Sequence, residues 1–356
     1  MIDSGFFHGK RVCIVGAAGS FGRAATDRLL GLGPALIRAI DIDENGLFEL
    51  STAYRGDVEV RFCDIRCARS VRQSFTAIDI VVHAAALKHV AICESSPIDA
   101  VRTNVEGTMN IIEAARECGV GYVLLTSSDK AVHPTSAMGA SKLLGERLMV
   151  AANDAGGPRF VTTRFGNVLG TRGSVVPIFQ RQIRRGERVT VRDARMTRFF
   201  MSLGEAATLV LDGLARARGG EIFIMKMPVV RILDLAEVMI DELAEGHHRD
   251  PKLGISFVGA LPGEKLHEEL MSEQEGAAAI ETATSFVLVP GQPATAELAR
   301  SYGGTLGAAS TIAYGSGDET PLTKHEIRAR LYEIGVLAAE PSRIGPAIAA
   351  SYEAMA

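Results

Sequence analysis

Short runs of apolar residues alternate with stretches of helical periodicity along the first half of the chain. Apolar residues recur with the period of a helix over 100–118 and 139–155, for example. Six runs have the length and continuity of strands that are buried on both faces of a parallel sheet; they span 11–15, 35–40, 58–62, 78–83, 121–126 and 159–164. This alternation predicts an α/β fold built on a doubly wound parallel sheet.

The pattern changes after residue 166. Later segments are shorter and more mixed, with helices predicted at 175–185, 232–244 and 324–334 and a strand at 187–191. We therefore predict a sheet domain over 1–166, to which strands return from later in the chain. A smaller mixed α/β lobe would lie mainly over 167–338, followed by a tail over 339–356.

A glycine-rich turn follows the first predicted strand. Residues 16–22 are Gly-Ala-Ala-Gly-Ser-Phe-Gly and lead into a helical pattern. Glycines let the backbone turn tightly and approach a pyrophosphate, whose charge is favoured by the N–H groups that open the helix. Glycine turns also occur in ordinary loops. With the strand and helix around it, this one predicts a dinucleotide site formed by Gly16, Gly19, Ser20, Phe21 and Gly22.

Three more strand ends support the dinucleotide site. Asp41 follows the second strand, where a carboxylate accepts hydrogen bonds from an adenosine ribose and repels a 2′-phosphate, which favours NAD over NADP. Asp64 and Ile65 follow the third strand, and the small residues Ala84–Ala86 follow the fourth, where they allow a cofactor to pass close. The alternative for both acids is a solvated carboxylate at a strand end.

Composition narrows the class of partner. The chain has 356 residues, of which 47% are apolar, with a net charge of −4 and a pI near 6.1. Such a balance gives no basic field for nucleic acid or an anionic membrane. We therefore expect a small-molecule ligand, no nucleic acid and no membrane partner.

Cysteine usage and the missing targeting signals indicate the compartment. The five cysteines do not have the paired spacing of a metal site, so we expect no metal and five reduced packing residues. Residues 1–10 lack the features of a signal peptide, and no uncharged apolar segment approaches the ~18 to 20 residues that span a bilayer. We expect a soluble cytoplasmic protein that forms a homo-oligomer.

The fifth predicted strand delivers Ser128, Asp129 and Lys130 to its carboxyl end, where parallel sheets bind ligands. An acid and an amine beside a nicotinamide suit hydride transfer coupled to proton transfers, which is elimination chemistry. Met138 and Lys142 lie one turn apart on the next helix, from which Lys142 can reach the nicotinamide ribose. The alternative is that both lysines are surface residues and Met138 a core residue, and for Met138 alone we favour the core.

Longer motifs occur in a fixed order along the chain. They are Ala-Ala-Leu-Lys-His-Val at 85–90, Ser-Ser-Asp-Lys-Ala-Val-His-Pro-Thr-Ser-Ala-Met-Gly-Ala-Ser-Lys at 127–142, Arg-Phe-Gly-Asn-Val-Leu-Gly-Thr-Arg-Gly-Ser-Val-Val-Pro at 164–177, Arg-Met-Thr-Arg-Phe at 195–199 and Pro-Gly-Glu-Lys-Leu-His-Glu-Glu-Leu at 262–270. Together they resemble the nucleotide-sugar 4,6-dehydratases of polysaccharide biosynthesis (CapD-like extended short-chain dehydrogenases), over about residues 8–338.

The resemblance implies a UDP-N-acetylglucosamine 4,6-dehydratase that uses NAD. Ser128 would bind the C4 oxygen, Lys130 would remove the C5 proton, and Asp129 would protonate the departing C6 hydroxyl. A water or Asp129 would accept the C4 hydroxyl proton, because the thioether of Met138 cannot. Members with tyrosine in place of Met138 include C5-inverting enzymes, whereas methionine resembles the C5-retaining group.

The resemblance also implies a set of substrate-binding residues, in which two arginines suit a diphosphate. They are Lys88, His89, Asn167, Arg172, Ser174, Val175, Arg198 and Glu264. The alternative for each is a solvated charge, a surface residue or a loop cap.

Two departures from the family matter. Members with methionine often carry membrane helices ahead of the catalytic part, and this chain starts directly at that part, so it resembles a soluble short form. The family's later motif commonly begins Arg-Pro-Gly-Glu-Lys, and Leu261 replaces that arginine. The contact to the nucleotide or a neighbouring loop that this arginine makes in the family is therefore not expected from this position.

Three other functions stay open from the sequence. A UDP-sugar C4 epimerase needs the same cofactor but has no use for an elimination pair. A C5-inverting 4,6-dehydratase would differ only in the configuration of its product. A non-catalytic NAD-binding regulatory protein would leave UDP-sugars unchanged.

Overall fold

The computed structural model describes residues 4–153, 156–171, 173–244, 254–261, 263–292, 294–306 and 313–337. Within them the chain forms two compact units. The first comprises residues up to 165 together with 204–226 and 269–315, and the second comprises 166–203, 227–268 and the residues from 316 onward. The predicted substrate lobe is thus divided between the two units, and the predicted tail over 339–356 lies outside the described residues.

The strands are short and spread along the whole described chain. In chain order they are β1 (Arg11–Val15), β2 (Leu36–Asp41), β3 (Val58–Phe62), β4 (Ile80–His83), β5 (Tyr122–Ser128), β6 (Arg159–Phe165), β7 (Asn167–Val168), β8 (Val189–Val191), β9 (Thr197–Met201), β10 (Ile222–Met225), β11 (Val229–Arg231), β12 (Ile255–Phe257), β13 (Glu269–Met271), β14 (Ile280–Glu281), β15 (Ser285–Leu288), β16 (Thr305–Leu306) and β17 (Tyr314–Gly315).

The helices alternate with these strands. They are α1 (Ser4–Phe7), α2 (Ser20–Leu30), α3 (Glu44–Tyr54), α4 (Ala68–Phe75), α5 (Val90–Ser95), α6 (Pro97–Ala100), α7 (Gly107–Cys118), α8 (Ala137–Ala152), α9 (Val175–Arg184), α10 (Leu203–Arg216), α11 (Ile232–Leu243), α12 (Glu273–Gly276), α13 (Ala296–Ser301) and α14 (Lys324–Glu333). A π-helical turn spans Val101–Glu106, and a 3₁₀ turn spans Asp129–Ala131. None of the helices in the described ranges is long and apolar enough to cross a membrane.

The first unit is organised around a ten-stranded sheet in the order β16-β14-β15-β10-β6-β5-β4-β1-β2-β3. The seven strands from β10 to β3 in this order are parallel to their neighbours, and β15 joins them antiparallel. This order confirms the predicted α/β fold with a parallel sheet. The strand order reverses between β1 and β4, and ligands bind at the carboxyl ends of strands beside such a switch point.

The predicted strands of this sheet are close to the observed ones. The run at 58–62 is β3 itself, whereas β5 continues to Ser128 and so includes the first residue of the predicted catalytic group. The helix predicted over 100–118 is interrupted, because its first part is the π-helical turn before α7. Periodicity alone does not distinguish the two helix types over so short a stretch.

Each unit has its own apolar core. Residues of β1, β4, α4 and α7 pack together in the first unit, with Val81, Phe75 and Ile111 fully buried. In the second unit α9, α11 and α14 enclose a separate cluster that includes Phe179 and Leu235. Smaller sheets complete the second unit in the orders β11-β9-β7 and β12-β8.

All five cysteines are free thiols. Cys13, Cys63 and Cys93 are buried, as expected of packing residues, but Cys67 is exposed and Cys118 half-buried. The expectation that all five pack in the interior is therefore wrong for Cys67, which lies at the N-cap of α4.

A buried ion cluster joins three distant segments of the first unit. Arg164 on β6 is 1% exposed and donates to both carboxylate oxygens of Glu146 on α8, at 2.8 and 2.7 Å. It also donates to both oxygens of Glu275, at 2.9 and 2.8 Å, and to the carbonyl of Leu270 at 3.2 Å. The two carboxylates raise the pKa of the guanidinium against the effect of burial.

Removing this guanidinium should be costly. We expect Arg164→Met to destabilise the protein by about 3 to 5 kcal/mol, because it leaves the fully buried Glu146 without a counter-charge. Urea unfolding at pH 7 measures the change. Arg11→Met breaks an exposed pair with Asp79 that solvent screens, so it should change the free energy of unfolding far less. Equal losses in the two variants would contradict the role of the cluster.

Candidate active site

The glycine turn after β1 allows an unusually close approach between backbone segments. Gly16 has a φ of +84°, and a Cβ on it would lie 2.6 Å from the backbone nitrogen of Ala85. A Cβ on Gly22 would lie 2.3 Å from the carbonyl oxygen of Gly16. Side chains at either position would push the turn away from the half-buried Ala84–Ala86 segment or from α2.

Helix α2 starts at Ser20, directly after this turn, with Gly19 as its N-cap. A glycine N-cap offers no side-chain oxygen to the first N–H groups of the helix, and a pyrophosphate supplies such oxygens. The turn therefore fits the predicted dinucleotide.

The carboxylate of Asp41 is fixed beside the glycine turn by three backbone N–H groups. Its Oδ2 accepts from Ala18 at 2.9 Å, and its Oδ1 accepts from Ile42 and Asp43 at 2.7 and 3.0 Å. This is the place at which the fold recognises a ribose. The ribose contact itself stays a prediction.

The other predicted cofactor residues are more ambiguous. Arg66 hydrogen-bonds Asp64 through its side chain and holds the pKa of that carboxyl below its usual range, which favours the alternative of a surface carboxylate. Ile65 is buried. Phe21 stacks on Phe165, with the ring centroids 5.7 Å apart. Cofactor contacts of these residues stay predictions.

Ser128, Asp129 and Lys130 form one tight group at the end of β5. The Ser128 hydroxyl donates to Oδ1 of Asp129 at 2.5 Å, and the Lys130 ammonium donates to the same oxygen at 3.0 Å. The backbone N–H of Lys130 is a third donor to Oδ1, at 2.9 Å. Oδ2 of the same carboxyl is buried and has no hydrogen-bond partner among the described residues. Oδ1 therefore accepts three hydrogen bonds, whereas Oδ2 accepts none from the described residues.

Helix α8 packs directly on this catalytic turn. The Ser136 side chain caps the helix by accepting from the N–H of Gly139 at 3.1 Å. A Cβ on Gly139 would lie 2.2 Å from the carbonyl oxygen of Lys130, so only glycine permits the contact. One turn along, the Lys142 ammonium donates to the Thr126 carbonyl at 2.7 Å. Burial lowers the pKa of Lys142 to about 8, so a small rise in pH makes it neutral.

Met138 is a packing residue. It is 3% exposed and lies in a small apolar cluster with Cys93 and Ala100, against which Leu87 and Val90 also pack. The burial of Met138 agrees with the alternative that it is a core residue. The only part in the reaction left to its side chain is to shape the pocket. A thioether in such a cluster has no proton to exchange.

Asn104, which no sequence motif indicated, lies in the π-helical turn and is 4% exposed. Its side chain accepts from the N–H of Leu87 at 2.8 Å and donates to the Leu87 carbonyl and to the Ser141 hydroxyl, both at 2.9 Å. It thereby fixes the segment after β4 against the helix that carries Lys142. A π-helical turn often marks a functional site, but no pattern in the sequence indicates this one.

His83, at the end of β4, was also missed. It is 1% exposed, and burial lowers its pKa to about 3. The Thr108 hydroxyl donates to the Asn104 carbonyl at 2.8 Å, so it accepts a hydrogen bond from Nε2 of His83 at 3.3 Å. Nδ1 is buried and has no partner among the described residues, which suits a neutral imidazole.

The remaining predicted substrate residues fall in different places. In the first unit, Lys88 and His89 are exposed just before α5, with His89 as its N-cap. In the second unit, Asn167 begins β7, and Ser174 and Val175 open α9. Among the described residues, Oδ1 of Asn167 and Oγ of Ser174 are buried and have no hydrogen-bond partner. Arg172 lies outside the described residues.

Arg198 faces the interior of the second unit. It is 5% exposed, and its guanidinium donates to the carbonyls of Thr197, Leu266 and Lys265 at 2.7, 3.0 and 2.9 Å. These bonds hold the segment around 265–266, and the predicted diphosphate contact of Arg198 stays a prediction. Glu264 lies 3.8 Å from the same guanidinium and accepts from the N–H of Leu261 at 3.1 Å.

A family model described as polysaccharide biosynthesis protein matches residues 12–290. The chain belongs to this family. The family that the sequence resemblance predicted is therefore confirmed.

Proteins similar in sequence to this chain are named for different activities. An uncharacterized membrane protein of Methanocaldococcus jannaschii is 42% identical, covering 94% of this chain and 98% of its own length. A protein of Campylobacter jejuni named UDP-N-acetylglucosamine 4,6-dehydratase (inverting) is 38% identical, covering 80% and 84%. A protein of Rickettsia massiliae named UDP-glucose 4-epimerase is also 38% identical, covering 77% and 81%.

A solved structure shares the fold over nearly the whole chain. The X-ray structure of Pen from Bacillus thuringiensis has a TM-score of 0.86 and 36% sequence identity, and covers 93% of this chain and 99% of that chain. Overall similarity is the same for the relatives named dehydratase and epimerase. Only the residues of the site can therefore separate these two reactions.

The buried His83 should make stability depend on pH. Between pH 6.5 and pH 3 the unfolded chain binds a proton that folded His83 does not, so the free energy of unfolding falls as pH falls. We expect His83→Gln to remove about 1.4 kcal/mol per pH unit of this fall between pH 6 and pH 4. Urea unfolding at several pH values measures it. His89→Gln removes a more exposed histidine whose pKa partial burial also lowers, and it should reduce the slope less than His83→Gln does. A shared slope in all three proteins would contradict the assignment.

Proposed function

We propose that this protein is an NAD-dependent UDP-N-acetylglucosamine 4,6-dehydratase that forms the UDP-4-keto-6-deoxy sugar. The observation that carries the proposal is the carboxyl group of Asp129. It is 1% exposed, its Oδ1 accepts from Ser128 and Lys130, and its Oδ2 has no hydrogen-bond partner among the described residues. A proton held by this group belongs on Oδ2, where it can be given to a leaving hydroxyl.

The cofactor proposal rests on the glycine cradle and on Asp41. The close backbone contacts at Gly16 and Gly22 exclude side chains there, so the turn can be as tight as a pyrophosphate cradle requires. The anchored carboxylate of Asp41 supports NAD over NADP, because a 2′-phosphate would meet a fixed negative charge. Held by the glycine turn and Asp41, NAD would supply the hydride acceptor for C4 and the hydride donor for C6 of the sugar.

The protein's own groups supply the proton transfers. The Ser128 hydroxyl can turn from Asp129 to the C4 oxygen of the sugar, which develops into a ketone. That ketone acidifies the C5 proton, and Lys130 is placed to remove it once its ammonium has lost a proton. The C6–O bond then breaks, the hydroxyl leaves as water with the proton from Asp129, and C5 is reprotonated. The atoms balance as the loss of one water.

Met138 cannot accept the proton of the C4 hydroxyl, so another group must. We propose that a water or Asp129 does so. Lys142 supports this step through its charge, since its pKa of about 8 allows it to exist in both protonation states near neutral pH.

Substrate anchoring is proposed for residues of the second unit. The buried oxygens of Asn167 and Ser174 lack partners among the described residues, and an unsatisfied buried oxygen costs about 1 to 3 kcal/mol, which a ligand donor would offset. Arg172 keeps its diphosphate role from the family resemblance. For Lys88 and His89 we propose contacts to the sugar, supported by their exposure beside the segment that Asn104 fixes.

The proposal also covers the cellular compartment, the oligomeric state and the partners of the enzyme. We propose that the enzyme acts in the cytoplasm as a homo-oligomer on a small-molecule substrate. The net charge of −4 supports the absence of a nucleic-acid or anionic-membrane partner.

A UDP-sugar C4 epimerase is the second candidate, favoured by the relatives with that name at 38% identity. An epimerase returns the hydride to C4 and needs neither an acid at C6 nor a base at C5. The paired Asp129 and Lys130 have no task in that reaction, which is why dehydration is preferred.

The experiment that tests the proposal uses purified protein, NAD and UDP-N-acetylglucosamine in deuterated water. We expect a product that has lost one water from the sugar and carries deuterium at C5, because Lys130 exchanges its proton with solvent. Mass spectrometry and NMR identify both changes, and the NMR couplings give the C5 configuration. An isomer of unchanged mass would establish epimerisation instead.

The roles of Asp129 and Met138 predict unequal losses. Asp129→Asn removes the acid at C6 and should slow ketosugar formation at least ~100-fold more than Met138→Leu, the lower end for one positioned acid–base group. Met138→Leu keeps the volume of a buried apolar residue and should retain substantial activity. Rates at saturating substrate measure the difference. Similar losses in the two variants would overturn the division of roles.

A further inference from the structure

The buried ion cluster of the first unit carries an excess of negative charge. It consists of one guanidinium, that of Arg164, and two carboxylates, those of Glu146 and Glu275. The side chains of Glu146 and Arg164 are 0% and 1% exposed, so water screens their charges little. A surplus charge in the interior is unfavourable, and a cation close to the cluster would offset it.

Lys142 lies one helical turn before Glu146 on α8. Residues four apart on a helix are neighbours on the same face. Burial lowers the pKa of Lys142 to about 8, and the negative charge of Glu146 opposes that effect. The buried cluster and the lysine beside the catalytic turn are therefore electrostatically coupled.

The hydrogen bond of Lys142 does not determine its protonation state. Its Nζ donates to the Thr126 carbonyl at 2.7 Å. A carbonyl accepts a hydrogen bond from an ammonium and also from a neutral amine. This bond therefore positions the nitrogen and leaves its charge to the surrounding groups.

Other titratable groups around Lys142 contribute less. On β4, burial and, to a smaller degree, the charge of Lys142 lower the pKa of His83 to about 3, so this imidazole is neutral. In the catalytic turn, against which α8 packs, the side chains of Asp129 and Lys130 hydrogen-bond each other at 3.0 Å, and their charges largely cancel. The charged side chains on α5, α6, α7 and the π-helical turn are exposed, where water screens them.

We propose that Glu146 is a positioning residue of the reaction that keeps the Lys142 side chain in its charged form, and that Arg164 limits this effect. The inference rests on the proposed function for the task of Lys142, which is to support removal of the C4 hydroxyl proton through its charge. Glu146 acts through Lys142 alone, because it is fully buried and both its oxygens bind Arg164.

The two partners act on Lys142 with opposite sign. A negative charge near an ammonium stabilises the charged form, and a positive charge destabilises it. Glu146 shares the helix of Lys142, whereas Arg164 comes from β6 and reaches α8 through this carboxylate. Removing Glu146 or Arg164 should therefore shift the ionisation of Lys142 in opposite directions, which loss of packing alone would not do.

The test measures the ionisation of Lys142 directly in the full chain. Protein with isotope-labelled lysines is titrated, and the NMR signal of the Lys142 Cε, assigned by its absence in Lys142→Met, gives the midpoint. Glu146→Gln keeps the volume of the side chain and should lower the midpoint by about 1 pH unit, the order expected for one unit charge a helical turn away. Arg164→Met should raise the midpoint.

Glu221→Gln is the matched control. Glu221 is 1% exposed and accepts hydrogen bonds from the N–H groups of Arg218 and Gly219 and from the Tyr302 hydroxyl. It directly precedes β10, at the opposite end of the parallel strands from the catalytic turn. Its substitution removes a buried carboxylate of the same unit and should leave the Lys142 midpoint at its wild-type value.

A double variant keeps the test decisive where a single variant does not fold. Glu146→Gln with Arg164→Met removes the buried pair as a unit, which costs less than leaving one charge unpaired. It should still lower the Lys142 midpoint, by less than Glu146→Gln alone, because only Glu146 lies on the helix of Lys142.

Turnover gives a second readout. The alkaline limb of kcat/KM for UDP-N-acetylglucosamine reports the loss of an essential proton from the free enzyme. It should move to lower pH in Glu146→Gln together with the Lys142 midpoint and stay in place in Glu221→Gln. A midpoint that moves while the alkaline limb of an active enzyme stays would overturn the part of Glu146 in the reaction.

The outcomes separate this inference from the proposed function. A wild-type Lys142 midpoint in Glu146→Gln, or in the double variant, overturns the inference even if the enzyme dehydrates its substrate. Shifts of the same sign in Glu146→Gln and Arg164→Met, or an equal shift in Glu221→Gln, would show a general effect of lost packing and would also overturn it. Opposite shifts in a protein that dehydrates no UDP-sugar support the coupling and overturn the proposed function.

Discussion

The carboxyl group of Asp129 is the constraint on which the site depends. Three donors converge on its Oδ1, from the Ser128 hydroxyl and from the ammonium and backbone N–H of Lys130. A buried carboxyl whose second oxygen has no partner among the described residues is costly, and folded proteins keep such groups mainly where a ligand completes them. The uneven sharing of donors leaves Oδ2 as the oxygen that would carry the proton in the proposed reaction.

The framework around this group explains why it can hold that geometry. Helix α8 approaches the turn so closely that Gly139 must lack a side chain, and the same helix carries Lys142 and Glu146. Arg164 binds Glu146 in the interior and thereby ties α8 to β6 and to α12. Rigid elements therefore position the reacting side chains, while the cofactor cradle lies at the neighbouring strand ends.

The sequence predicted features that depend on local pattern. Continuous apolar runs located the parallel strands. The group of Ser128, Asp129 and Lys130 was predictable because it lies at the end of one strand, where neighbours in sequence are also neighbours in space. Contacts between distant residues were not predictable, such as that of Arg164 with Glu275. The same reason accounts for the hydrogen bonds of Arg198 with the carbonyls of Leu266 and Lys265, which its motif did not indicate. The ionisation of His83 also depends on burial, which its strand alone did not reveal.

The most direct test of the account follows the hydrogen on C4 of the sugar. UDP-N-acetylglucosamine labelled with deuterium at C4 is incubated with the protein and NAD, and NMR locates the label in the product. Dehydration by way of Asp129 and Lys130 predicts deuterium at C6 of a 4-keto-6-deoxy sugar. Deuterium returned to C4 of an isomer of unchanged mass would contradict the account and identify an epimerase.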